Sequence, residues 1–112
     1  MAYDQELAER IRALLAGEPG VSEKRMFGGL AFLVDGNMAI SASGQGGLLV
    51  RIDPEDAAEL TATPHATPMV MRGRPMDGWL RVDAEGAASE AELASWVARG
   101  VAYARTLPAK RG

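Results

Sequence analysis

The chain has 112 residues, 47% of them apolar, and a formal net charge of -3. That length suits one domain spanning residues 1–112 with a core of its own, and the apolar fraction excludes a disordered chain. The lack of cysteine excludes disulfide frameworks, thiolate metal sites and cysteine nucleophiles.

A negative chain has no global positive field to draw nucleic acid without sequence preference, although a local basic patch remains compatible with it. No run of about 18 apolar residues is present to span a bilayer. No basic segment followed by an apolar run opens the chain, so no secretory signal is expected. A cytoplasmic protein without a membrane partner is the expectation.

In chain order, Leu7, Ile11, Leu14 and Leu15 recur at helical spacing and predict a first helix over residues 5–16. Asp4 caps it, and Gly17 and Pro19 end it. A three-stranded meander follows: residues 25–34, the turn Asp35-Gly36-Asn37, residues 37–42, the turn Ser43-Gly44-Gln45-Gly46-Gly47, and residues 48–52. Phe27, Leu30, Phe32, Met38, Ile40, Leu49 and Val50 are its candidate inward residues, though strand alternation sends some of them to the opposite face. Asp53 and Pro54 open a short helix ending near Thr61. After a loop bracketed by Pro64 and Pro68, strands are expected over residues 69–72 and 79–83, joined by a turn over residues 73–78. Ser89-Glu90-Ala91-Glu92 is a capping box for a last helix reaching Leu107. Leu93, Trp96, Val97, Val101, Ala104 and Leu107 form its apolar stripe, with Gly100 allowing close approach to the sheet. Pro108 and the basic pair Lys110 and Arg111 follow. The order α-β-β-β-α-β-β-α, with its hairpin connections, predicts an α+β fold: an antiparallel sheet with helices on one face, in two layers.

Five pieces of this pattern, in this order, resemble the TfoX N-terminal domain family. They are Arg25-Met26-Phe27-Gly28-Gly29, Asp35-Gly36-Asn37-Met38, Gly73-Arg74-Pro75-Met76, Trp79-Leu80-Arg81-Val82 and the last helix with Trp96. The resemblance covers nearly the whole chain. It implies a two-layer α+β fold with an antiparallel sheet, like that of secretion chaperones, and it brings no catalytic residues. The family is named for a bacterial regulator of natural competence, in which this domain precedes a second, C-terminal one; the present chain reads as the N-terminal domain standing alone. The chaperone-like fold, together with exposed sheet edges, implies a possible homodimer.

Each candidate site has a plainer reading beside it. Gly28-Gly29 can let a ligand approach the backbone, or serve as a bulge or kink beneath a packed helix. The glycine-rich turn at residues 43–47 lacks the following helix of a phosphate loop and reads as a hairpin turn. His65, the only histidine, shows no ligand spacing and reads as an exposed loop residue. Asp53, Glu55 and Asp56 are explained by the helix start. Arg72, Arg74 and Arg81, with Arg51, can gather on one sheet edge or face to meet carboxylate or phosphate; a solvated face with local ion pairs is the plainer account. Met26 and Met38 read as core, while Met69, Met71 and Met76 are open to a partner. No catalytic residue, cofactor or metal is expected. The expected function is a non-enzymatic, regulatory interaction domain. It would meet an unidentified protein partner through Met69, Met71, Arg72, Arg74, Met76 and Arg81. The alternative is a nucleic-acid-associated regulator using the same arginines.

Overall fold

The structure is a computed structural model. It describes residues 3–26 and 28–109, with the backbone alone of Met71, Pro75 and Asp77. Phe27, Lys110 and Arg111 lie outside the described residues. Helix α1 (Gln5–Leu14) starts where expected, with the amides of Glu6 and Leu7 donating to Asp4 Oδ1 at 3.0 and 3.2 Å. It buries Leu7, Ala8 and Ile11.

The segment expected to be one strand over residues 25–34 is instead a hairpin of two, β1 (Val21–Met26) and β2 (Gly29–Val34), paired from Val21↔Val34 to Met26↔Gly29. Gly28, at φ 77°, lies at the reversal. A Cβ on Gly29 would collide with the carbonyl oxygen of Ala42, and one on Gly44 with the carbonyl of Gly28. The glycine pair therefore forms a hairpin corner packed against the turn at residues 43–47. It is neither a bulge nor a kink beneath a helix.

Strand β3 (Asn37–Ala42) follows a two-residue turn in which Asp35 and Gly36 have φ of 52° and 85°, as a type I′ hairpin requires. Its register with β2 slips between Phe32 and Leu33, so Ala39 is an extra residue and joins Ile40 in the core. Strand β4 (Leu48–Arg51) leads to a single 3-10 turn capped by Asp53, whose Oδ1 accepts from the Glu55 amide at 2.9 Å, and then to α2 (Ala57–Thr61). Strands β5 (Ala66–Met71) and β6 (Arg74–Val82) form a long hairpin. The reversal is at Arg72 and Gly73, both at positive φ, so the stretch expected to be a connecting turn over residues 73–78 is mostly strand. Helix α3 (Glu90–Arg105) begins at Ser89, whose Oγ accepts from the Glu92 amide at 3.1 Å and donates to Glu92 Oε1 at 2.9 Å.

The strands make one antiparallel sheet in the order β1-β2-β3-β4-β6-β5. The fold is α+β in two layers, with six strands where five were expected. The register carries one apolar set across the sheet: Leu30, Phe32, Ile40, Ala42, Leu48, Val50, Leu80 and Val82, all buried beneath the helices. Ile11 of α1 and Leu93, Val97, Val101 and Ala104 of α3 complete this core. Full burial of each large aliphatic side chain contributes about 1.5–3 kcal/mol. Gly100 allows α3 to press on β3, since a Cβ there would overlap the Ala39 carbonyl oxygen. Two ion pairs tie the helices to β1 and to the α1–β1 connection. Arg12 donates to both carboxylate oxygens of Glu23 on β1 at 2.6 and 2.8 Å, and Arg105 donates to Glu18 at 2.6 Å. Among the described residues no helix is long and apolar enough to cross a membrane.

Candidate functional site: a groove on the open face of the sheet

Strand alternation sends the residues between those core positions to the face away from the helices. The paired row Ala31, Ser41, Leu49, Arg81 and Thr67 crosses that face from β2 to β5. Its β2–β3 end is built from small side chains: Ala31 is wholly buried and Ser41 is 4% exposed. Larger side chains rise around that floor. Met26, Met38, Leu49 and Met69 are half-buried there and line a groove of about 470 Å³.

The β5–β6 hairpin supplies one wall. Gly78 sits at φ 86° in β6, and the β5–β6 register shifts between Pro68 and Val70. Both features bend a hairpin. Met69, Val70 and Arg72 on its outer part line the same groove as Met26, Gly29 and Gly44 at the far end of the sheet. Val70, 58% exposed, leaves an apolar side chain in solvent beside the groove mouth.

Arg81 is half-buried in the groove and donates to Ser43 Oγ at 3.4 Å, a long bond. Among the described side chains, no carboxylate lines the groove, and none lies within ion-pair distance of Arg72 or Arg81. A locally positive, thioether-rich concavity therefore sits on a chain of negative net charge.

The expected interaction residues divide accordingly. The groove brings together Met69, Arg72 and Arg81. Arg74 is exposed outside it, Met76 is exposed at 36%, and the side chain of Met71 lies outside those described. Arg51 does not join them: its guanidinium lies 4.9 Å from the Trp79 ring centroid and 6.0 Å from that of Tyr103. Met26 and Met38, read as core, are groove wall: Met26 pairs with Gly29, one residue before helix-facing Leu30, and the extra residue Ala39 turns Met38 to the face opposite Ile40. Leu49 and Ser41 were not singled out as site residues. The signal available for them was the period of two in β3 and β4, which places Leu49 opposite its buried neighbours Leu48 and Val50.

The other candidates resolve locally. His65 is exposed at φ 74°, and its Nδ1 lies 2.9 Å from Asp83 Oδ1. The hydrogen bond to Asp83 raises the His65 pKa and lowers that of Asp83, whose carboxylate also accepts from the Gly86 amide at 3.0 Å. The pair joins the start of β5 to the end of β6. The turn at residues 43–47 is closed by its own backbone, with the Ser43 amide donating to the Gly47 carbonyl and the Gly46 amide to the Ser43 carbonyl, each at 3.0 Å. Among the described residues no three His, Asp or Glu side chains gather to hold a metal ion.

A comparison with known protein families matches residues 13–104 to the TfoX N-terminal domain. The chain belongs to the TfoX N-terminal domain family. The match takes in every strand of the sheet and nearly all of α3, so the groove lies wholly within the family domain. No curated protein and no solved structure matches the chain.

Proposed function

We propose that this TfoX N-terminal domain is a non-enzymatic, regulatory interaction module of the cytoplasm that binds a protein partner in the groove on its open sheet face. One observation carries this reading: a concave surface lined by methionine and leucine is left in solvent on a sheet whose other face holds the buried core beneath the helices. Flexible thioethers adapt to irregular apolar partners, and an apolar concavity with few polar groups is the usual form of a binding site. A reaction would call for converging acids, bases or nucleophiles. The described lining offers thioethers, a glutamine, arginines and two serine hydroxyls with no histidine or carboxylate among them to act as base. A regulatory role agrees with the competence regulator for which the family is named.

The nucleic-acid alternative draws on Arg72 and Arg81 in the same groove. Arg74 and Arg51 stand apart from them, and among the described residues the groove lining includes no aromatic ring on which a base can stack. Affinity capture from native lysate with the wild-type domain and with Met38→Glu separates the readings. The expected result is a defined set of proteins retained by the wild type and lost with the variant, with retention persisting at moderate salt. Identical capture by both proteins contradicts the groove. Recovery of nucleic acid alone, falling steeply as salt rises, contradicts the protein partner.

A further inference from the structure

The groove is apolar along its walls and cationic in Arg72 and Arg81, with no acid among its described lining side chains. Four other described arginines are ion-paired, all through the helices: Arg10 with Glu90, Arg12 with Glu23, Arg99 with Asp56 and Arg105 with Glu18. Arg72 and Arg81, on the opposite face, line this concavity. Lys24 adds positive charge on the same sheet face, since it pairs with Ala31 of the floor row. Arg81 is half-buried and Arg72 exposed at the groove, with no carboxylate among the described side chains in ion-pair reach; guanidinium groups set beside apolar walls favour an anionic group that brings apolar surface with it.

We propose that the groove receives a short acidic segment of a partner protein, its apolar side chains against Met26, Met38 and Leu49 and its carboxylates on Arg72 and Arg81. This rests on the reading of the groove as a protein-docking site and names the chemistry of the partner. The charge on the groove is the argument for that occupant. A polyanion such as RNA satisfies the arginines but leaves the thioether walls against phosphate and sugar. A purely apolar segment covers the walls but buries Arg72 and Arg81 without partners, which is costly.

The test is selection from a displayed library of random peptides against the purified domain, followed by binding of the enriched peptides to three variants. The expected consensus places Asp or Glu beside Leu, Ile, Met or Phe. Arg81→Gln should weaken such a peptide by about tenfold, the loss of one charge-assisted hydrogen bond. Arg72→Glu combined with Arg81→Glu should turn the consensus toward Lys and Arg while the thermal melt stays close to wild type. Met38→Glu should abolish binding.

Enriched peptides that need Met38 but carry no acidic excess overturn this inference and leave the docking groove standing. Failure to enrich any peptide sensitive to Met38→Glu overturns both. Arg81-dependent binding of a single-stranded oligonucleotide, with no peptide selected, assigns the groove to nucleic acid. A dimer in sedimentation that Met38→Glu dissociates assigns it to a second copy of the chain. Either outcome contradicts the acidic segment.

Discussion

Single residues set two local properties that solution measurements can isolate. His65 and Asp83 face each other across the start of β5 and the end of β6, and each shifts the other's titration. Because the His65 pKa is raised in the fold, its contribution is fully present below the ordinary imidazole value of about 6.5 and is lost as pH rises through the raised value. Because the Asp83 pKa is lowered, its contribution is present above the ordinary carboxylate value of about 3.9 and is lost as pH falls through the lowered one. The stability difference between the wild type and His65→Asn should therefore be greatest between about pH 4 and 6.5 and shrink on both sides; asparagine tolerates the positive φ at this position. Urea unfolding across pH checks it, and a difference that is flat with pH contradicts the pair. Gly100 offers the second test. Alanine is the better helix former by about 1 kcal/mol, yet its Cβ would overlap the Ala39 carbonyl beneath α3. Overpacking costs typically about 1–3 kcal/mol, so Gly100→Ala should not stabilise and should cost up to about 2 kcal/mol in urea unfolding.

Elements show which signals a sequence carries. Helix α3 was legible end to end because its cap, apolar stripe and close-approach glycine all agree, and the structure places Ser89, Leu93, Val97 and Gly100 accordingly. Ser89→Ala removes the oxygen that accepts from the Glu92 amide. It should cost about 1 kcal/mol with no change in the slope against denaturant. Strand β3 was legible because Asp35-Gly36 fixes its start. Strand β1 was not: none of Val21 to Met26 is buried, so the strand is held by backbone pairing to β2 and leaves no apolar pattern to read. The β5–β6 hairpin is obscured for a related reason. Pro68 reads as a loop bracket, but an edge strand tolerates proline because one side of its backbone needs no partner. Arg72-Gly73, lacking the usual Asn or Asp before glycine, did not read as a two-residue turn.

At the scale of the whole molecule, the sheet has one face consumed by helices and one left as a groove. The helix-facing half was visible in the sequence as apolar periodicity. The groove was visible only in fragments, because its lining comes from six strands whose order and register depend on long-range pairing. Met38 and Leu49 looked like core for that reason, while Arg72 and Arg81 looked like a cluster of cations without the apolar walls that give them meaning. The central claim is that the domain meets its partner on that open face. A photo-cross-linking residue introduced in the cell at Leu49, with a control at exposed Ala58 on α2, measures this directly. Discrete adducts to another protein from position 49, and none of the same bands from position 58, are expected; no adduct from position 49, or the same bands from both, contradicts docking on this face.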